Sequence, residues 1–222
     1  MNLSCSTKFI ALVVLVSVGF FDASAQNLSS GNPSHSNYTA ISTSFPFLRI
    51  NPDARSSGMG EAGVARSPDV NAPSINAASM VFLRDKAGIG LSYNPWLSGL
   101  IKEMSLSYLS AYINSGAQAL ALSFRYFSVG QAVSRDENAL MLGLLHPSEY
   151  ALDLSYARKL SPNFSLATTV RYTQSQFGVT KDAPLPGNAS ALSVDLSAYL
   201  VKPSMLFGYD ADLSAGINLS NI

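Results

Sequence analysis

A glycine-rich stretch at residues 58–63 has the residue types and spacing of a phosphate-binding turn. It fits the G-x-G-x-x-G fingerprint, in which backbone N–H groups at a helix N-terminus hold a pyrophosphate. That chemistry needs a buried strand before the glycines and a helix after them. Pro52 and polar residues precede the stretch, and Pro68 limits any following helix to about one turn. We therefore interpret these glycines as positions of close packing and positive φ, not as a nucleotide site.

Other residues with catalytic or metal-binding chemistry are sparse. His146 has Ser148 and Glu149 as neighbours, but all three fall in an expected loop and do not form a nucleophile-base pair. Neither histidine of the chain has metal-ligand spacing nearby. Asp69 and Asn71 carry oxygen ligands, but their spacing is not that of a calcium loop. We predict no catalytic residue, no cofactor and no metal, and hence a protein that is not an enzyme.

Residues 1–25 have the organisation of a secretory signal peptide. Lys8 supplies the positive charge, Phe9–Phe21 is an apolar run, and Ala23-Ser24-Ala25 is a small-residue cleavage site. Cys5 precedes the apolar run and is removed with it. The mature chain is therefore expected to contain no cysteine, which excludes disulfides and thiolate metal sites.

The composition of the chain favours a membrane β-barrel over a secreted soluble domain. The formal net charge is zero, so a nucleic-acid surface is not expected. Charged residues make up 13 %, against roughly 25 % in soluble domains. No segment after the signal peptide has about 20 consecutive apolar residues, so no transmembrane helix is expected.

Alternation of apolar and polar residues is the primary structural signal. It is clearest from Tyr150 to Tyr172, where two alternating runs flank the turn Leu160–Asn163. Strands of about ten residues, apolar outside and polar inside, are typical of outer-membrane barrels. A soluble β-sandwich also alternates and is the alternative. We expect the apolar side chains on the outer face, among them Leu152, Leu154, Leu166, Val170 and Val194.

About seven strands are predicted from Ala87 onward. The second apolar set, Met104, Leu106 and Tyr108, is expected to face outward like the others. Charged residues of both signs occupy the alternate positions, and we expect them to pair across a lumen. These lumen charges are Arg125, Asp153, Arg171 and Asp195.

The connections alternate between short and long. Tight turns are expected at residues 114–117 and 160–163, and long loops at residues 128–149 and 174–191. Since barrels have short periplasmic turns and longer extracellular loops, the long loops are placed outside. The connection Val201–Asp210 falls inside with middling length.

We divide the mature chain into three parts. Residues 26–44 read as a flexible N-terminus, and residues 45–86 as a loop-rich plug at the periplasmic end with one short helix around Gly58–Ala65. Gly58, Gly60 and Gly63 are expected in tight backbone contact there. Residues 87–222 hold the strands, which we interpret as an incomplete barrel because single-chain barrels have an even strand number. Several copies closing one barrel together is the alternative.

The segment from Phe45 to Ala65 resembles the start of PorV-family proteins, outer-membrane barrels of the type IX secretion system of Bacteroidetes. Residues 67–71, 76–78, 156–165 and 216–221 resemble the family's continuation. One departure is at Asn76-Ala77, where the family usually has Asn-Pro-Ala. The motif residues that carry the resemblance are Asn51, Pro52, Asp53, Ala54, Arg55, Gly58, Met59, Gly60 and Gly63.

The resemblance implies an all-β antiparallel barrel of the FadL-like kind with about 14 strands, of which this chain would carry the first half. It also implies a non-enzymatic role. The protein would receive cargo proteins by their C-terminal signal domains and pass them to the surface attachment machinery, with the translocon and the surface sortase as further partners.

Cargo contact is expected on the long outer loops, with Phe177, Val179 and Leu185 as candidate contacts. The alternative function is a FadL-like channel for hydrophobic small molecules, because fold alone does not decide function.

Overall fold

Seven antiparallel strands form the main sheet of the computed structural model, which describes residues 45–97, 103–135, 141–176 and 188–222. The expected signal peptide, residues 1–25, and the expected flexible residues 26–44 lie outside the described residues. The strands of the main sheet are β1 (Ala87–Asn94), β2 (Ser105–Asn114), β3 (Gln118–Ser128), β6 (Ser148–Ser161), β7 (Phe164–Gln176), β8 (Ala189–Leu206) and β9 (Tyr209–Leu219).

Each strand of the sheet pairs with its neighbour along the chain, in the order β1-β2-β3-β6-β7-β8-β9. The strands β4 (Ala132–Arg135) and β5 (Met141–Leu145) form a separate hairpin in the connection between β3 and β6. The sheet curls like half of a barrel. The predictions of an all-β antiparallel fold and of about seven strands are confirmed. No helix in the described part of the chain is long and apolar enough to cross a membrane.

The two ends of the sheet differ in their connections. At one end, called the turn end here, tight turns join β2 to β3, β6 to β7 and β8 to β9. The opposite end, called the loop end, carries the β4–β5 hairpin and the connection between β7 and β8. The prediction of a middling connection over Val201–Asp210 was wrong. Both strands continue through it, and only Phe207 and Gly208 form the turn.

The two faces of the sheet have opposite chemistry. On the outer face, Leu152, Leu154, Leu166 and Val170 are 43–51 % exposed. Their alternate neighbours on the inner face are buried and are small, hydroxylated or charged. Such a sheet exposes apolar side chains where a lipid-facing barrel needs them.

Strand β2 departs from the predicted alternation. Leu106 and Tyr108 are both 1 % exposed and lie on the inner face, whereas Leu109 and Ile113 lie on the outer face. The expectation that the set from Met104 to Tyr108 faces outward was therefore wrong. Because β2 is apolar on both faces, the alternation alone did not distinguish them.

Residues 45–86, called the N-terminal segment here, cover the inner face. The segment contains 3-10 helices at Pro46–Arg49, Ala72–Ser74 and Ala77–Phe82 and one short α-helix, α1 (Ala54–Gly58). The helix begins four residues before the predicted range Gly58–Ala65 and overlaps it only at Gly58, because Asp53 caps its N-terminus.

The N-terminal segment extends from one end of the sheet to the other. Phe47 stacks on Phe127 at the loop end, with ring centroids 6.2 Å apart. Ala77–Phe82 packs at the turn end, against a cluster that includes Ala119, Ala157 and Tyr199. Only the last part of the segment therefore lies at the turn end, and the placement of that end in the periplasm stays a prediction.

Close packing of the segment depends on glycines, among them Gly63, Gly90 and Gly216. A Cβ on Gly63 would lie 2.9 Å from Ile75, and one on Gly216 of β9 would lie 2.2 Å from the Val64 carbonyl oxygen. The expectation of tight contact was wrong for Gly58 and Gly60, which have no neighbour within 4 Å of such a Cβ. Gly60 instead has a φ of +70°, which favours glycine for backbone reasons.

We expect Gly216→Ala to weaken the docking of the N-terminal segment by about 1–3 kcal/mol, because the new methyl group would clash with the backbone carbonyl of Val64. Trp96, the single tryptophan, packs in the cluster around Phe47 and reports docking by its fluorescence. Urea titration in detergent micelles is the measurement. Gly58→Ala is the matched control. Equal urea midpoints for the two variants would contradict a role for the close approach of Gly216 to Val64.

Candidate functional site

The motif residues Asn51 to Arg55 build the start of helix α1. Asp53 is the N-cap, and its carboxylate accepts hydrogen bonds from the backbone N–H of Arg55 at 3.4 Å and of Ser56 at 3.1 Å. The Ser56 hydroxyl donates to the same carboxylate at 2.8 Å. Asn51 accepts a bond from the Asp53 N–H at 3.1 Å. Aspartate is favoured at this position because the first N–H groups of a helix have no partner within it.

Asp53 is also the centre of an ion cluster, called the Asp53 cluster here, which consists of Asp53, Arg55, Arg66, Asp69 and Asn71. Arg66 donates to Asp53 and, at 2.8 Å, to Asp69. Arg55 reaches Asp69 at 3.4 Å, and the Asn71 amide donates to Asp53 at 3.1 Å. Two arginines and two aspartates leave the cluster neutral. The cluster holds the two ends of the loop from residue 53 to residue 71 together.

The pKa of Asp53 lies below its ordinary value of 3.8. Burial is the largest single influence and raises the pKa, but the other influences together outweigh it. They are the side-chain and backbone hydrogen bonds from Ser56, the charge of Arg66 and the hydrogen bond from Asn71. The carboxylate is thus stabilised in its ionised form by the partners that hold the segment together.

Inner-face hydroxyls hold the backbone of the N-terminal segment. Ser110 donates to the Val70 carbonyl at 2.8 Å and Ser165 to the Ala78 carbonyl at 2.6 Å. Tyr199 donates to the Arg66 carbonyl at 3.1 Å, and Ser214 donates to the Ala65 carbonyl. A segment with so little regular secondary structure leaves many backbone carbonyls without a hydrogen-bond partner within the segment. These side chains donate the missing hydrogen bonds.

Asn76 connects two parts of the N-terminal segment with each other and with β8. Its amide nitrogen donates to the carbonyls of Val64, at 2.8 Å, and of Ala198, at 3.0 Å. Its amide oxygen accepts the Ala78 N–H and caps the last 3-10 helix. Ala77, which follows it, is 3 % exposed and lies in the core of this contact.

Three of the four predicted lumen charges meet on the inner face. Arg171 of β7 binds Asp153 of β6 through Nε at 2.8 Å and Asp195 of β8 through Nη2 at 2.8 Å. Its Nη1 donates to Asn221 at 2.9 Å. All three charged side chains are buried, with 2–8 % of their surface exposed. The arginine thus joins three adjacent strands through charge-assisted hydrogen bonds.

Arg125 of β3 is separate from this group. It donates to the Leu48 carbonyl at 2.9 Å and stands over the Tyr108 ring at 5.8 Å. Among the described residues, no carboxylate lies within salt-bridge distance of it. Its role in the structure is to hold the first part of the N-terminal segment against the sheet.

An apolar groove of about 440 Å³ opens at the loop end. Its lining combines the first 3-10 helix with aromatic and proline side chains from the strands and their connections. The lining residues are Pro46, Phe47, Ile50, Trp96, Phe127, Val129, Pro147 and Glu149. Rigid apolar side chains beside a single carboxylate suit recognition of a protein or peptide better than chemistry.

The structure brings together only part of what the sequence singled out. Asp53 and Arg55 belong to the Asp53 cluster, Asn51 accepts the backbone N–H of Asp53, and Gly63 lies close to Ser56 of helix α1. Phe177, Val179 and Leu185 lie outside the described residues. Sequence reasoning missed Arg66 and Trp96, and it named Asn76 only within the family resemblance, without a structural role. Asp69 and Asn71 were considered as calcium ligands, and they are instead partners of arginine and aspartate. No metal-binding group of three or more His, Cys, Asp or Glu occurs in the described ranges.

Comparison with known families decides the relationship of the chain. The family model for the type IX secretion system protein PorV matches residues 33–222. The chain belongs to the PorV family. The match includes the N-terminal segment and all nine strands, so the Asp53 cluster and the inner-face charges lie within it. No curated protein matches the chain. PorV is a component of a secretion system and not an enzyme family.

For this PorV-family protein we expect acid to loosen the N-terminal segment through Asp53. Because the pKa of Asp53 is lower in the fold than in the unfolded chain, its stabilisation is complete above 3.8 and is lost as the pH falls below that value. Trp96 fluorescence followed from pH 6 to pH 2 is the measurement.

Asp53→Asn should remove that acid-dependent step and destabilise the segment at pH 7 by about 3 kcal/mol or more, because buried Arg66 loses a partner. Arg55→Met is the control. The Arg55 side chain is 49 % exposed, so its loss should cost at most about 1 kcal/mol. An acid transition that persists unchanged in the Asp53→Asn variant would show that another group controls it.

Arg171→Met should lower the urea midpoint by the equivalent of about 3–5 kcal/mol, since Asp153 and Asp195 are left buried and unpaired. Neutralising both carboxylates in the same chain, with Asp153→Asn and Asp195→Asn, should restore much of the loss. If the triple variant is less stable than Arg171→Met alone, the charges do not act as one group.

Proposed function

We propose that the protein receives cargo proteins at the outer membrane by their C-terminal signal domains and passes them to the surface attachment machinery. The observation that carries this proposal is the PorV family match over residues 33–222. Its partners are then the cargo signal domains, the translocon, the surface sortase and outer-membrane lipid.

The exposed apolar face of the sheet supports an outer-membrane location. Leucine, valine and aromatic side chains cover it, whereas Arg125, Asp153, Arg171 and Asp195 of the same strands are buried on the inner face. Among the described residues, β1 and β9 each have a strand on one side only. In lipid both edges need partner strands. A closed barrel of about 14 strands therefore remains our prediction for the protein in the membrane.

The covered inner face supports a docking role more than a conduit. The N-terminal segment contacts the inner face from β1, where Val70 meets Gly90, to β9, where Val64 meets Gly216. Side chains of β2, β3, β7 and β8 donate hydrogen bonds to its carbonyls. A channel for hydrophobic molecules, the alternative function, needs an open apolar path where these contacts lie.

The loop end provides the surface that a cargo protein could meet. It combines the β4–β5 hairpin, the apolar groove around Trp96 and the connection at residues 177–187, which lies outside the described residues. Val133, Met141 and Leu144 of the hairpin are 46–59 % exposed. Apolar side chains on a short, hydrogen-bonded hairpin lose little conformational freedom on binding.

Removing the β4–β5 hairpin, by replacing residues 131–146 with a short Gly-Ser linker, should reduce capture of a purified cargo signal domain by about tenfold or more, equivalent to at least 1.4 kcal/mol of lost contact. Shortening the connection at residues 178–187 should have a similar effect. The control removes residues 203–210 from the β8–β9 hairpin at the turn end, which should leave capture unchanged. Pull-down with the full-length protein in detergent measures all three.

Two outcomes would contradict this assignment. If both loop-end variants reach the membrane and capture the signal domain at wild-type levels, the docking surface is elsewhere. If deletion of the protein abolishes fatty-acid uptake and leaves secretion intact, the channel replaces cargo transfer as the function.

A further inference from the structure

Arg125 is a buried cation whose hydrogen-bonding capacity is only partly used. The residue is 2 % exposed. In the described part of the chain, its Nη1 donates to the Leu48 carbonyl at 2.9 Å and its buried Nε has no hydrogen-bond partner. A guanidinium carries five N–H donors, and a charge that is buried without a counter-charge is costly. Arg125 therefore has both the charge and the donors to bind an additional, anionic group.

The side chains around Arg125 do not supply that anion. Tyr108, which faces Arg125 in the register of β2 and β3, offers the face of its ring at 5.8 Å. The carboxylates of Asp153 and Asp195 on the same inner face are both bound by Arg171. Within the described ranges, no carboxylate is close enough to Arg125 to form a salt bridge. The anion that would complete its contacts must therefore come from a ligand.

Arg125 lines a cavity of about 270 Å³ between the N-terminal segment, β3 and β9. This cavity is distinct from the apolar groove at the loop end, because Ile50 is the only residue that lines both. Its wall is mixed, with aliphatic side chains of the N-terminal segment beside polar ones. The polar residues that line it together with Arg125 are Arg49, Asn51, Glu61, Ser74, Asn218 and Ser220.

We propose that this cavity binds the carboxylate group of a short, polar ligand, with Arg125 as its principal contact. The two arginines and one glutamate of the lining leave one net positive charge. A single carboxylate neutralises that charge, whereas a phosphate dianion exceeds it. The planar fork of a guanidinium also matches the two oxygens of a carboxylate. The inference goes beyond cargo transfer and does not depend on it.

The remaining donors and the size of the cavity define the rest of the ligand. Asn51 uses its amide oxygen to accept the Asp53 N–H at 3.1 Å, which leaves its amide N–H groups to donate. Asn218 of β9 and Ser220 add a second amide and a hydroxyl. Since a water molecule occupies about 30 Å³ in the liquid, the cavity has the volume of roughly nine waters. That volume suits a short free acid or the last residue of a peptide chain.

Four small probes test the class of ligand on the full-length protein in detergent. N-acetylglycine carries a carboxylate on a peptide unit, and N-acetylglycinamide has nearly the same shape without the charge. Propionate represents a short free acid, and methyl phosphate represents the competing anion. Ligand-observed saturation-transfer NMR, titrated to give a Kd for each probe, is the measurement because it detects weak binding.

Three variants connect binding with the cavity. Arg125→Met should weaken N-acetylglycine binding by about tenfold or more, because a charge-assisted hydrogen bond is lost. Arg49→Met should also weaken it, and Arg49 is exposed, so the fold should tolerate this change. Lys202→Met removes an exposed positive charge at the turn end, away from the cavity, and should leave the Kd unchanged. Trp96 fluorescence checks that the N-terminal segment is docked in each variant, and Arg49→Met decides if Arg125→Met does not fold.

We expect N-acetylglycine to bind and N-acetylglycinamide not to bind. Propionate that binds as tightly as N-acetylglycine indicates a free short acid as the ligand, and weaker propionate indicates a chain terminus. Both results support a carboxylate site. Equal binding of the amide, tighter binding of methyl phosphate, or a Kd that neither arginine substitution changes overturns the inference. Cargo capture, measured separately by pull-down, then still stands or falls on its own.

Discussion

The structure depends on giving hydrogen-bond partners to backbone that has little regular secondary structure. The N-terminal segment forms only short helical turns, yet most of it lies against a sheet where water is excluded. Each buried carbonyl without a partner costs about 1–3 kcal/mol. Ser110, Ser165, Ser214, Tyr199, Asn76 and Arg125 meet this requirement, which explains why these polar residues occur among the alanine and aromatic side chains of the inner contact.

Buried charges face a similar requirement for partners. Arg171 binds two carboxylates of neighbouring strands, and Arg66 binds two within the segment. In both places, one guanidinium with its forked donors binds two aspartates, and the geometry suits arginine and not lysine. Small residues fill the remaining inner positions. Ala151 and Ala157 are fully buried, and larger side chains there would hold the segment away from the strands.

Much of the sheet could be predicted because alternation is a local property. One apolar and one polar face can be recognised in each of the strands β3, β6, β7 and β8. The register between these strands follows because it must place all apolar faces on the same side of the sheet. β2 could not be predicted in this way, because Leu106 and Tyr108 face a partner that is distant in sequence. The Asp53 cluster could not be predicted for the same reason. The motif can be recognised from consecutive residues, whereas the contact between Asp53 and Arg66 depends on how the loop between these two residues folds. Trp96 carried no periodic signal, and its place in the groove follows from tertiary packing alone.

The contacts of the N-terminal segment also set an order for folding. Ser214 and Ala65 are 149 positions apart in the chain, and Asn76 and Ala198 are 122 apart. These bonds close only after β8 and β9 are in register, so a segment that precedes β1 in the chain completes its docking after seven strands of the sheet have formed. Contacts between distant residues slow folding, because the entropy of closing a long loop is lost before the contact is gained. Until then the part of the segment around Ala65 and Asn76 remains open to water, because its partners on β8 and β9 are not yet in place.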